Sequence, residues 1–291
     1  MIEPNLMILA GGVSSRMKKS IAESDSMDQS VKQEAERKSK SMITVGNSQR
    51  PFLDYLLFNV REVGYEDILI IVSEHDTSIR DYYGTKEKDN PFKGLRISYA
   101  VQRIPGDRTK PLGTADAVER GLKTHSEWKG KKFTVCNSDN LYSRHALRLL
   151  LESKHPNAMI DYDRNALQFE PSRISQFSVT QKDPEGFLVN IIEKPSTEDV
   201  ERARGRSTYV GVSMNIFRLD YDMVFPFVRD VPLHPERMEK ELPVAVNMMI
   251  HHHPKSMFAF PLAEHVPDLT SLHDLQNVQQ YLAKEFSRIN W

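Results

Sequence analysis

Apolar runs and helically spaced apolar residues take turns along the first half of the chain. Leu6-Met7-Ile8-Leu9-Ala10 is an unbroken run that passes straight into Gly11-Gly12, and residues 68–72 form a second such run. Runs of this kind, bounded by turn residues, read as strands buried on both faces of a parallel sheet. Segments 95–101, 132–136 and 158–162 are also strand-like. Between them, residues 51–63 carry Phe52, Leu53, Leu56, Leu57 and Val60 at helical spacing and stop at Gly64. Residues 114–122, opening just after Gly113, and 144–151 repeat the helical pattern, and the polar segment 74–83 predicts a shorter helix. Strands alternating with helices predict an α/β fold, a Rossmann-like and mainly parallel sheet flanked by helices. Ligands of such sheets bind beyond the carboxyl ends of the strands. The loops at 11–16, 102–113 and 137–142 all leave such ends, so they are expected to converge.

The pattern changes near residue 173. Segments 174–180, 187–192 and 208–217 are strand-like, separated by Asp183-Pro184-Glu185-Gly186 and a charged stretch, which predicts an antiparallel extension forming a wall beside the sheet. Helices at 238–250 and 272–286 follow. The expected organisation is one domain over 1–291, with residues 1–170 as the alternating half and 171–291 as a second, substrate-side half. There is no internal repeat and no hexapeptide array, so no β-helix is appended.

Composition narrows the classes. The 291 residues carry 39 Lys+Arg against 40 Asp+Glu, so net charge gives no reason to expect a nucleic-acid or membrane-surface partner. No apolar stretch approaches the roughly 20 residues that cross a bilayer, and no basic segment with an apolar signal core opens the chain. A cytoplasmic location is the expectation. The lone Cys136 rules out an internal disulfide and reads as a buried strand residue. His251-His252-His253 project in different directions ahead of Pro254, which favours a loop over a metal site.

The opening loop carries the first chemistry. Gly11-Gly12-Val13-Ser14-Ser15-Arg16-Met17 sets two glycines, two hydroxyls and an arginine directly after a strand. Glycines bring bare backbone N–H groups against an anion, and an arginine fork grips phosphate oxygens. Residues 17–41 follow with six cationic and five acidic side chains and few large apolar ones. They read as a solvated excursion or as a lid that folds its lysines over a polyphosphate.

Six motifs in order make the chain similar to the sugar-1-phosphate nucleotidyltransferase family, in particular to glucose-1-phosphate thymidylyltransferase-like proteins. These are the glycine loop ending at Arg16; Lys40-Ser41-Met42-Ile43-Thr44-Val45 with the helix led by Pro51; Lys110-Pro111-Leu112-Gly113-Thr114-Ala115-Asp116 with Asn137-Ser138-Asp139-Asn140; Glu193-Lys194-Pro195; the strand bearing Gly211; and Asp268-Leu269-Thr270-Ser271-Leu272-His273-Asp274. The resemblance implies transfer of a nucleotidyl group from a nucleoside triphosphate to a sugar-1-phosphate, giving an NDP-sugar and pyrophosphate with Mg²⁺. It implies catalytic roles for Arg16, Lys40 and Asp139, and metal ligation by Asp139 and Asp268. Leu9, Ala10, Gly11, Gly12, Ser15, Gln102, Gly113 and Thr114 would bind the nucleotide, with Gln102 reading the base edge. Asn140, Glu193, Lys194 and Gly211 would bind the sugar phosphate. Ser14 stands where the family usually has a third glycine, a form shared with molybdenum-cofactor guanylyltransferases and phosphocholine cytidylyltransferases, so a non-sugar acceptor is an alternative. A non-catalytic regulatory relative that binds nucleotide sugars is another. Lys38 is a neighbouring candidate for the role of Lys40, and base, sugar and homo-oligomerisation stay open.

Overall fold

The computed structural model describes residues 2–12, 17, 20, 38–46, 50–84, 92, 94–106, 108–205, 207–271 and 273–287. Ser15, Arg16 and nearly all of the 17–41 segment, with its two alternative readings, lie outside the described residues.

Strand β1 (Asn5–Ala10) lies at the centre of the main sheet, between β4 (Asp67–Ser73) and β6 (Lys132–Asn137), and runs parallel to both. β5 (Arg96–Gln102) adds in parallel to β4. On the other side β10 (Gly211–Asp220) is inserted antiparallel between β6 and β7 (Asn157–Asp163), and β11 (Met257–Leu262) closes that edge parallel to β7. The order is β11-β7-β10-β6-β1-β4-β5, while β2 (Thr44–Val45) and β3 (Arg50–Pro51) pair antiparallel apart from it. β1 is thus the topological switch point, where consecutive strands leave to opposite sides and a crevice opens past their carboxyl ends.

The alternation of β1 explains its unbroken apolar run. Leu6 and Ile8 point into a core with helices α1 (Phe52–Val63) and α4 (Arg144–Leu151), whereas Met7 points into a second core with α3 (Thr114–Thr124), α7 (Tyr221–Asp230) and α8 (Leu242–His252). A strand with cores on both faces needs apolar residues at every position. Residue Pro51 caps α1 from outside and Gly64, in the left-handed conformation, ends it. Helix α2 (Ser78–Tyr83) is shorter than the polar segment predicted, and α9 (Asp274–Glu285) falls where a late helix was expected.

The antiparallel extension is smaller than expected. β8 (Val179–Lys182) pairs with β10 and with β9 (Leu188–Ile192). Residues 174–178, expected as strand, are not: Pro171–Ile174 is a helical turn, α5, with the proline at its first position, and the strand starts only at Val179. The charged stretch before β10 contains helix α6 (Thr197–Arg204), signalled by a capping box in which Ser196 and Asp199 bond each other's backbone. α7 was also unforeseen, because its apolar spacing follows β10 without a break and Pro226 interrupts it. His251 and His252 form the last turn of α8 rather than a loop, and only His253 lies outside it.

Candidate active site

The carboxyl ends of β1, β5 and β6 open into one cleft of about 790 Å³. Leu9, Ala10, Gly11 and Gly12 line it from the end of β1, Gln102 from β5, Gly113 and Thr114 from the start of α3, and Asp139 and Asn140 from the turn after β6. Lys40, Glu193, Lys194 and Asp268 line it as well. Leu9 and Asp268, 259 positions apart in the chain, therefore share one wall system, as the three converging loops predicted. Gly211 does not line the cleft. A Cβ there would overlap the Asp161 carboxylate and the Thr180 hydroxyl, and Asp161 is fully buried, held by Thr180, by Lys182 Nζ at 2.5 Å and by Tyr209 Oη at 2.5 Å. The glycine makes room for that carboxylate.

The two candidate metal ligands meet through backbone pairing. Asn140 and Asp268 form an antiparallel bridge, Leu269 N–H donates to Asp139 O at 2.8 Å and Leu141 N–H to Pro267 O at 2.8 Å. Asp139 forms an ion pair with Lys40, which stands on the short helical turn Lys40–Met42. Asp268 accepts from Arg173 Nη2 at 2.5 Å and from Thr270 Oγ1 at 2.6 Å. Burial and the neighbouring Asp139 carboxylate push the Asp268 carboxyl up to about 6, against the pull of Arg173, Thr270 and Lys40. Two carboxylates that repel one another across a polar cleft fit a hard divalent cation, and Mg²⁺ commonly takes one or two carboxylates and completes its shell with water and phosphate oxygens. Among the described residues there is no cluster of three or more metal-ligating side chains, so any further ligands would have to come from solvent or substrate.

Gln102 is nearly fully buried and its amide is committed. Nε2 donates to Gly113 O at 2.8 Å and to the Asp116 carboxylate at 2.9 Å, which fixes the amide's orientation because a carboxylate can only accept. Oε1 turns toward Gly11, where a Cβ would lie 2.8 Å from it. The expected base reader therefore ties three loops together, with its oxygen as the acceptor left over. Gly113 has φ +104°, and a Cβ there would lie 2.5 Å from Lys240 O. That close approach joins the start of α3 to the 237–241 loop, reinforced by Ala115 N–H to Lys240 O at 3.0 Å and Leu242 N–H to Thr114 Oγ1 at 2.9 Å.

With this geometry in view, the wider similarities can be placed. The model of the nucleotidyl transferase family matches residues 35–274. The chain belongs to that family. It is 24% identical over 219 residues to glucose-1-phosphate adenylyltransferase 1 of Vibrio vulnificus, in strains YJ016 and CMCP6, a match that takes in 75% of this chain and 49% of the relative. The chain thus spans about half the length of these curated relatives. Its fold is similar to a putative glucose-1-phosphate thymidylyltransferase from Bacillus anthracis in complex with a sucrose (TM-score 0.66, 18% identity, 99% of this chain and 96% of that one). It is also similar to a UDP-glucose pyrophosphorylase complexed with UDP-glucose (TM-score 0.68, 15% identity, 98% and 100%) and to the UDP-glucose pyrophosphorylase of Acinetobacter baumannii (0.68, 16%, 98% and 94%).

In this nucleotidyl transferase family member the cleft holds charges that the motifs did not single out. Arg173 and Arg237 both line it. Arg237 Nη2 donates to Glu193 Oε2 at 2.5 Å and pairs with Glu241 at 2.6 Å, so it orients the glutamate of the Glu193-Lys194-Pro195 motif. Glu241 is raised above the usual carboxylate range by burial and by Glu193. Ser213, Met214 and Asn215 form the β10 part of the wall, at a bulge where Asn215 takes φ +54° and Tyr142 Oη bonds Met214 O at 2.7 Å. Lys194 is also in the left-handed region, φ +45°. Non-glycine residues held there are uncommon and gather at functional sites. Sequence could have flagged Arg173, a cation at the end of a proline-led turn, but a bulge inside an apolar strand has no residue signature.

Proposed function

We propose that the protein is a sugar-1-phosphate nucleotidyltransferase, joining a nucleoside triphosphate to a sugar-1-phosphate with release of pyrophosphate. The supporting observation is the meeting of Lys40, Asp139 and Asp268 in a cleft bounded by the glycine turn after β1 on one side and by Glu193 and Lys194 on the other. A phosphate oxygen of the sugar-1-phosphate attacks the α-phosphorus, the bond to the β-phosphate bridging oxygen breaks, and pyrophosphate leaves with the electron pair. Such a reaction asks the protein mainly for positioning and charge neutralisation.

Each residue then has a task. Backbone N–H groups at Gly11 and Gly12 approach the triphosphate, while Lys40 and Arg16 offset its charge. Gln102, Gly113 and Thr114 form the wall for the base, Gln102 offering Oε1 as acceptor. Glu193, held by Arg237, accepts from sugar hydroxyls, Lys194 pairs with the sugar phosphate, and Asn140 stands beside it. Asp139 and Asp268 would hold Mg²⁺, which when bound neutralises phosphate charge and orients the oxygens. On this reading residues 1–170 serve the nucleotide and 171–291 the acceptor, with Asp268 the exception that returns to the phosphates.

A pyrophosphate-release screen crossing the common triphosphates with several sugar-1-phosphates, in Mg²⁺, tests the reading. Release with at least one pair is the expected result. Release only with phosphocholine or a cofactor precursor would replace the acceptor class, and nucleotide-sugar binding without release in any combination would make the protein a regulatory relative.

A further inference from the structure

Each candidate metal ligand is already matched by a cation of the chain itself. Lys40 pairs with Asp139, and Arg173 pairs with Asp268. The two cations are held very differently. Arg173 is fixed on three sides: one guanidinium nitrogen on Asp268, another on Asp274, and the plane over the Phe169 ring with 4.5 Å to its centroid. Asp274 is itself anchored, its Oδ2 accepting from Thr270 N–H at 3.0 Å and Ser271 N–H at 2.6 Å. Among the described residues the Lys40 ammonium has one hydrogen-bond partner, Asp139, and it stands on a three-residue helical turn at the cleft wall. A planar fork with two carboxylates is hard to withdraw, whereas an ammonium on a flexible stem can change partners.

We propose that Arg173 is a positioning residue for the cation site: it fixes the Asp268 carboxylate and, with Lys40, keeps the Asp139 and Asp268 pair closed to a free divalent ion until a triphosphate draws Lys40 away. This rests on the reading of Asp139 and Asp268 given above. Asp139 and Asp268 each already hold a cation of the chain, Lys40 and the Arg173 that Asp268 shares with Asp274, so a metal entering alone must compete with both and gains little. Triphosphate oxygens offer Lys40 a stronger partner, and once it moves Asp139 is released while Asp268 stays aimed by Arg173. Metal and triphosphate uptake are then coupled, and by linkage each strengthens the other to the same extent.

The test is Mn²⁺ binding to the full chain, followed by the electron paramagnetic resonance of the free ion, with and without a non-hydrolysable triphosphate analogue. Wild type should bind Mn²⁺ weakly alone and at least about tenfold more tightly with the analogue. R173Q and K40A should each bind Mn²⁺ about tenfold more tightly without nucleotide, because removing one positive charge a few ångströms from a divalent ion is a large Coulombic change. Their gain on adding the analogue should shrink accordingly. R173K keeps the charge and loses the fork. It should stay within about threefold of wild type without nucleotide and lose affinity several-fold with the analogue, since a lysine cannot hold both carboxylates. Nucleotide-free affinities that are equal in wild type, R173Q and K40A would overturn the positioning role. So would R173K matching R173Q without nucleotide, because loosened folding rather than lost charge would then explain both. D139N and D268N separate the two levels of inference. If both abolish Mn²⁺ uptake with the analogue while R173Q behaves as wild type, only the role of Arg173 falls; if neither matters, the cation site falls with it.

Discussion

On the division of the cleft proposed above, replacing Gly113 with alanine should damage the acceptor side from a residue on the nucleotide side. The backbone there has φ +104° and ψ −174°, a region almost reserved for glycine, which costs an L-residue roughly 1–3 kcal/mol. The added Cβ would lie 2.5 Å from Lys240 O and 3.0 Å from Lys240 N, both backbone atoms that no rotamer change can move. Relief requires shifting the 237–241 loop, which loosens the Ala115 to Lys240 and Leu242 to Thr114 hydrogen bonds, each worth about 1 kcal/mol. The sum is about 3–5 kcal/mol. At roughly 2–4 °C per kcal/mol, the melting temperature should fall by roughly 6–20 °C. Gly64 is the control: its φ is +98° but nothing lies within 4 Å of its notional Cβ, so G64A should cost only the left-handed penalty of about 1–2 kcal/mol. Thermal unfolding of both variants by circular dichroism separates conformation from contact. Kinetics should show KM for the sugar phosphate rising more than KM for the triphosphate, because Arg237, Glu239 and Glu241 ride on the displaced loop. A melting point for G113A within about 2 °C of that for G64A would refute the contact, and an unchanged sugar-phosphate KM would refute the coupling.

Asp139→Asn should remove most activity while leaving the melting temperature nearly unchanged, since a neutral amide cannot supply charge to a cation; near-wild-type turnover in a Mg²⁺ titration would dismiss the ligand role. Arg16→Ala should weaken triphosphate use by ~3 kcal/mol in transition-state terms and spare the sugar phosphate, with Glu193→Ala giving the reverse, and equal effects on both KM values would reject the division of the cleft. His265 should make stability depend on acid. Burial, then the charge of Arg173, hold its imidazole down at about 4, and its Nδ1 accepts from Gln168 N–H at 3.1 Å, so the folded state keeps it neutral. The unfolded chain protonates near 6.5 while the folded one does not, so stability is full above that value and falls as pH drops toward 4, by about 1–2 kcal/mol after allowance for its partial exposure. Urea titrations at pH 7 and pH 4.5 should show this loss in wild type and less of it in His265→Gln; an equal loss in the two proteins would assign the acid sensitivity to other groups.

What could be read in the sequence follows how local each signal is. The buried parallel strands were legible because a strand with a core on each face is apolar along its middle, as β1 and β4 are, and β6 departs from this only at Thr134, whose hydroxyl is satisfied by Tyr65. Helices α1, α3 and α4 were legible from one apolar stripe and a clear stop or start. Segment 174–178 misled because Ile174, Phe177 and Val179 suit a strand, and the deciding residue was Pro171, which starts a turn of helix. The capping residues of α6 were present in the sequence, but a charged stretch with little apolar content invites a loop assignment. In the site, the motifs located Lys40, Asp139, Glu193 and Asp268 in one cleft. They carried no information about Arg173 and Arg237, whose importance lies in which carboxylates they reach across 44 to 101 positions of chain.

The position of β10 explains how a mainly parallel sheet acquires a second wall for its cleft. Inserted antiparallel between β6 and β7, it starts at the cleft end of the sheet, with Gly211 to Ser213 paired to the last residues of β7 and Phe217 to Asp220 paired to β6. Asp161, opposite Ser213, is packed under Gly211, and the bulge beyond Ser213 turns Met214 and Asn215 into the cleft, pinned by Tyr142 from the turn that follows Asp139 and Asn140. The Tyr142 hydroxyl thus ties the turn bearing the candidate metal ligand to the β10 wall of the cleft. A β-bulge aims side chains that regular pairing would leave flat on the sheet. On the function proposed above, the fixed register of β6, β10 and β7 would set the distance between the nucleotide and acceptor positions, leaving the choice of base and sugar to the loops around them.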